Sequence, residues 1–129
     1  MKLTCLSAII ACTLLFSCKK EAATPSPLTG SWNGKLSKGT EAPPSGLFYM
    51  QLSANHSVKR VNADGEVTAT GSWKLSGSDF TAQYKYIDDA TVIVTLTGTY
   101  NPATNEISGS WKNSYDVKGL WNAQKKTAN

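Results

Sequence analysis

From Leu28 onward the chain alternates between apolar and polar positions. Leu28, Gly30, Trp32, Gly34 and Leu36 are interleaved with Thr29, Ser31, Asn33 and Lys35, the two-residue period of a strand with one buried face. The same period recurs in Phe48, Met50 and Leu52; in Val67, Ala69, Gly71, Trp73 and Leu75; and in Phe80, Ala82, Tyr84 and Tyr86. It continues through Val92, Val94, Leu96, Gly98 and Tyr100, then Ile107, Gly109 and Trp111, and finally Val117, Gly119, Trp121 and Ala123. Val58 to Val61 reads as a further strand whose alternation is less regular. The pattern predicts about eight strands, and no segment has helical spacing. Asp64-Gly65 marks a tight hairpin of the kind whose two central residues take positive φ. Ser76 to Asp79, Ile87 to Asp89 and Asn101 to Glu106 read as further hairpin loops. Links this short join antiparallel neighbours. Only Ser37 to Ser45 is longer. The expected fold is therefore all-β, an eight-stranded antiparallel up-and-down meander, closed into a barrel so that no strand edge is left exposed.

A second regularity lies on top of the first. Each of the four tryptophans follows a glycine by two residues: Gly30/Trp32, Gly71/Trp73, Gly109/Trp111 and Gly119/Trp121. Gly46/Phe48 and Gly98/Tyr100 repeat the spacing with other rings. Residues i and i+2 share a face of a strand, so glycine and ring both point inward. A glycine on the ring's own strand or the adjacent one gives the ring room and permits the coiling that a small barrel needs. The inner set read this way is Trp32, Phe48, Trp73, Phe80, Tyr84, Tyr86, Tyr100, Trp111 and Trp121, and it carries no charge. Buried indole N–H groups need acceptors, for which the pattern offers tyrosine hydroxyls and backbone carbonyls.

The first residues have a different character. Met1-Lys2 is followed by an uncharged, mostly apolar run from Leu3 to Phe16, the layout of a secretory signal and too short for a comfortable membrane span. Its ending, Leu15-Phe16-Ser17-Cys18, resembles the bacterial lipobox. The resemblance implies a lipoprotein signal peptide over residues 1–17 and acylation of Cys18, with palmitate-type chains holding the protein at a membrane. Residues 18–27 then form a charged, proline-broken tether. The chain has three cysteines; Cys5 and Cys12 fall within the discarded segment, so none remains for a disulfide, a metal site or a nucleophile. Lys19 stands where an aspartate acts as an inner-membrane retention signal, which points to the outer membrane of a Gram-negative cell envelope. The stretch from Cys18 to Glu21 is also similar to short surface-export signals, the other reading being a plain charged linker.

The motif Leu28-Thr29-Gly30-Ser31-Trp32 at the start of an eight-stranded meander resembles the calycin group, the lipocalins, avidins and their bacterial lipocalin-like relatives. The resemblance covers residues 28–126, leaving 127–129 as a tail, without the helix that follows the barrel in full-length lipocalins. It implies that Lys125 covers Trp32. It also implies non-catalytic binding of a small hydrophobic or aromatic ligand inside the barrel, with Trp32, Trp73, Tyr84, Tyr100, Trp111 and Trp121 as ligand-binding residues. Eight strands enclose a space that side chains either fill or leave to one small ligand. A filled barrel would instead serve as a protein-interaction or inhibitor module.

Other chemistry is sparse. His56, the single histidine, falls in a turn, and Asp88-Asp89 falls in a hairpin where adjacent carboxylates diverge. Neither makes a catalytic constellation, and no cofactor or metal motif is present. The formal net charge is +4; Lys35, Lys59, Lys74, Lys85, Lys112 and Lys118 alternate outward as a dispersed positive skin, which suits solubility better than nucleic-acid binding. The expected partners are a small apolar ligand, the membrane through the anchor, and a protein if the barrel is filled. A Cys18→Ser variant is expected to leave the membrane fraction on cell fractionation; a variant still membrane-bound and lipid-labelled would contradict the acylation.

Overall fold

The computed structural model describes residues 26–127; the segment read as signal peptide, acylated Cys18 and most of the tether lies outside the described residues, as do residues 128–129. The eight strands are β1 (Gly30–Leu36), β2 (Gly46–Leu52), β3 (Ser57–Val61), β4 (Val67–Ser76), β5 (Asp79–Tyr86), β6 (Ile93–Asn101), β7 (Glu106–Asn113) and β8 (Lys118–Lys125). Each pairs antiparallel with its neighbours in sequence, and β8 returns to β1, so the sheet is a closed up-and-down barrel. Hairpin-length links and one buried face per strand leave this as the arrangement without open edges.

The glycine rule is explained by register. Gly34 pairs with Phe48, Gly71 with Tyr84, Gly98 with Phe80, Gly109 with Trp121 and Gly119 with Trp111. On β7 and β8 the device is reciprocal, since two antiparallel Gly-x-Trp units each set their glycine opposite the other's indole. On β4 and β5 the same exchange occurs with Ala82 opposite Trp73. The glycines also admit backbone: a Cβ at Gly34, Gly71 or Gly109 would collide with the carbonyl oxygen of Asn122, Gln83 or Thr97 on the adjacent strand. At Gly98 it would meet the Ser108 carbonyl at 2.6 Å and the Trp121 ring at 3.2 Å. Ring over glycine on a strongly coiled sheet is a known means of stabilising glycine-containing strands.

The interior is filled with these rings. Trp32, Phe48, Phe80, Tyr84 and Trp121 are fully buried among Leu28, Met50, Leu52, Val58, Leu96 and Ile107. Phe48 and Phe80 each stand 5.8 Å from Trp121, and Phe80 stacks on Trp73 at 6.3 Å. Every indole N–H donates to a backbone carbonyl: Trp32 to Leu28, Trp73 to Ser53, Trp111 to Ser37, and Trp121 to Thr97 and Ser110. The tyrosine hydroxyls are not used for this. Three of the tryptophans thereby fasten the segment before β1, the β2–β3 turn and the start of the long β1–β2 loop.

The hairpins differ from the expected two-residue turn at Asp64-Gly65. Gly65 alone takes positive φ (85°), and its N–H donates to the Asn62 carbonyl. The Asn62 side-chain oxygen accepts from the N–H groups of Asp64 and Glu66. The loop is therefore a type I turn closed by one left-handed residue, and Asn62, absent from the dipeptide signal, organises it. Asn113 to Val117 repeats the arrangement with Asp116 at φ 66°, and Ser53 to Ser57 with His56 at φ 69°. Gly77 (φ 63°) at the first position of the β4–β5 link fits a two-residue hairpin.

Two opposite shifts in stability follow. Gly71→Ala, which forces a Cβ into the neighbouring backbone, is expected to cost about 3 kcal/mol or more and lower the melting midpoint by more than about 10 °C. Asp116→Gly, which relieves an exposed left-handed residue, is expected to raise stability by up to about 1 kcal/mol. Thermal denaturation of the two variants checks both.

Candidate functional site

The two ends of the barrel are built differently. At the end where the chain enters β1, Leu28 is wholly buried and caps Trp32, and Lys125, paired with Trp32 in the β1–β8 ladder, extends past Gly30 to donate to the Pro27 carbonyl at 2.8 Å. The lysine singled out from the sequence is thus brought to Trp32. Tyr100 shares this end, its hydroxyl donating to Asn105 and its ring 6.3 Å from Trp32.

At the far end the wall is notched. β3 is the shortest strand, and its pairing with β2 runs only from Leu52 to Tyr49. Gly46, Leu47 and Phe48 of β2 extend beyond it. Alternation along β3 puts Arg60 on the inward face that it shares with Val58 and Val61 outward, and a register shift with Thr68 as the extra residue of β4 sets Val67, read from its period as inward, opposite Val61 and exposed. Arg60 stands between Met50 and Ala69, and the small Ala69 leaves room for its guanidinium. The inner face therefore carries a charge, contrary to the uncharged interior expected from the alternation. Beside it is an open cleft of about 600 Å³, lined by Arg60 and Tyr86 together with Leu47, Tyr49, Val67 and Ile87.

The surroundings of Arg60 are specific. Its Nη1 donates to the hydroxyls of Tyr84 and Tyr86, both at 3.1 Å. The guanidinium lies 4.6 Å from the centre of the Phe48 ring and 5.7 Å from that of Tyr84, close enough for attraction by the ring faces. Nε is buried and has no hydrogen-bond partner. Among the described residues no carboxylate is paired with it. Burial pushes the Tyr84 hydroxyl up to about 12, although the nearby Arg60 charge pulls the other way, so the phenol stays neutral at ordinary pH.

The residues proposed from the sequence divide by place. Trp32, Trp73 and Trp121 lie in the packed interior with their N–H groups occupied, Trp111 at its margin against the Ser37 carbonyl, and Tyr100 at the closed end. Tyr84 alone of that set touches Arg60, through its hydroxyl, while remaining buried behind the cleft. His56 lies exposed in the β2–β3 turn with its ring 4.8 Å from Trp73. Asp88 and Asp89 are exposed in the β5–β6 loop; Asp89 caps Thr91, and Asp88 borders the cleft. The six lysines read as outward-facing are all exposed. Sequence reasoning missed Arg60, although its signal was present: two residues after the inward Val58, strict period two puts Arg60 inside.

The raised ionisation of Tyr84 fixes a sign. Its neutral form is favoured by folding, so that contribution is intact below pH 10 and is lost as pH rises through about 12. The folded state is expected to lose roughly 3 kcal/mol across that window, and Tyr84→Phe to show a smaller alkaline loss. Denaturant titrations at stepped alkaline pH check this.

Comparison of the chain with protein-family models, with curated proteins and with solved structures finds no match.

Proposed function

We propose that the protein is a lipid-anchored, lipocalin-like binding protein that takes up a small hydrophobic or aromatic molecule without chemical conversion, and that it does so in the notch at the far end of the barrel. The observation that carries this reading is the clustering of exposed apolar surface. Among the described residues the large exposed apolar side chains are Leu47, Val67, Ile87, Tyr115 and Val117, and every one belongs to a strand terminus or loop at that end. Leu47 and Ile87 are each 64% exposed on the border of the cleft. Isolated exposed apolar residues need no explanation, but a group gathered around a concavity with a few polar groups marks a binding site.

The packed interior supports the same placement, since the rings of Trp32, Phe48, Phe80 and Trp121 occupy the space that a deep ligand would need. A second reading, a protein-interaction module of the envelope, is favoured by Tyr115 and Val117, which extend the apolar surface beyond the cleft onto the β7–β8 loop.

The neutral fluorescent probe N-phenyl-1-naphthylamine is expected to bind the purified protein with one-to-one stoichiometry. Ile87→Asp is expected to weaken binding about tenfold or more, while Ser108→Ala on the outer face leaves it unchanged. A probe signal that does not respond to the protein, or one untouched by Ile87→Asp, would remove the notch as the ligand site.

A further inference from the structure

Resting on the binding reading just given, we propose that the natural ligand of the notch is a small carboxylic acid with an aromatic or short aliphatic body, its carboxylate held by Arg60 and the hydroxyl of Tyr86. Donors outnumber acceptors around Arg60. Each phenol oxygen already accepts from Arg60 Nη1; the buried Tyr84 hydroxyl also interacts with that of Tyr86, and the pair retains an O–H proton to give on the cleft side, at Tyr86. Arg60 Nε has a proton and no acceptor. Among the described residues no bond from Nη2 is formed either. The polar groups at the base of the notch are therefore donors in excess, gathered about one positive charge. A cation has nothing to accept from there, and a neutral alcohol or amide satisfies only part of the set. An anion satisfies the donors that line the cleft, those of Arg60 and Tyr86.

The cost of placing Arg60 there points the same way. A partly buried guanidinium with no counter-ion carries a penalty that two hydroxyls and two ring faces offset only in part. An apolar side chain at position 60 would complete the core between Met50 and Ala69 without that penalty, so the charge is not needed by the fold. A bound carboxylate supplies the missing partner, and the planar guanidinium matches its two oxygens. The charge count selects the head group: one guanidinium balances one negative charge, whereas a dianionic phosphate leaves a surplus beside Asp88, which borders the same cleft. Leu47, Val67 and Ile87 then meet the body of the molecule.

Isothermal titration calorimetry on the purified full chain with 4-phenylbutyrate, 4-phenylbutanol and 4-phenylbutyl phosphate tests the proposal. The acid is expected to bind ten- to a hundredfold more tightly than the alcohol, and more tightly than the phosphate. Arg60→Met is expected to abolish the preference for the acid while leaving the alcohol bound, and Asp88→Asn, at an exposed loop position that the fold does not need, to strengthen the acid severalfold without moving the alcohol. Equal binding of acid and alcohol, or a preference unchanged in both variants, overturns the carboxylate proposal and leaves the notch as an apolar site. Tighter binding of the phosphate overturns the choice of head group. Binding of none of the three overturns the notch reading along with it.

Discussion

The cross-strand pairing of glycine with a large ring is the interaction on which the rest of this barrel depends. Glycine at Gly34, Gly71 and Gly109 lets the adjacent strand's carbonyl approach where a Cβ would sit, and that approach is what coils a short sheet tightly enough to close. The ring opposite then covers the glycine and supplies the apolar area that the glycine lacks. Closure and core filling are thus one device. The interior that results has little to offer a ligand, because Phe48, Phe80, Trp73 and Trp121 are packed edge and face against one another across it. The tryptophans reinforce this from within the core: their N–H groups, bonded to backbone carbonyls, hold the segment before β1, the β2–β3 turn and the start of the β1–β2 loop in the same framework.

Where the device is absent, the wall changes character. β3 has no glycine and no ring, and Ser57–Val61 is too short to accompany β2 along its whole length. The bulge lies on β4, where Thr68 is the extra residue between Ala69 and Val67, and it sets Val67 opposite the outward Val61. Regular alternation along β3 points Arg60 inward, toward two hydroxyls and a phenyl face. That placement leaves a buried Nε without a partner. A sheet assembled for stability alone would not retain that group.

Most of the fold was legible because its determinants are local. Period-two alternation, Gly-x-ring spacing and short polar links are all readable within a few residues, and they yield strand number, order and the inward set. What could not be read depends on relations between strands. That Gly109 faces Trp121 rather than Trp111 is a matter of register. The turn at Asn62 was misjudged because the dipeptide Asp64-Gly65 hides the residue two places earlier whose side chain shapes the loop. Arg60 was overlooked for a related reason: a charged residue is read as outward by default, and only its pairing with Met50 and Ala69, both inward, shows otherwise. The inward tryptophans that the resemblance makes candidate ligand residues are also the bulk that a small core without disulfides requires.

On the binding reading proposed above, a site on the rim, not in a sealed interior, sets the kind of binding to be expected. A cleft open to solvent covers only part of its ligand, so the affinity contributed by apolar contact is limited, and the greater share of discrimination falls to the charged group at its base. Release needs no opening of the barrel and no movement of the packed rings, so exchange is governed by breaking the few polar contacts around Arg60. The rigid aromatic core contributes by holding Tyr84, Tyr86 and Phe48 in fixed positions around the guanidinium, which spares the ligand the cost of ordering them.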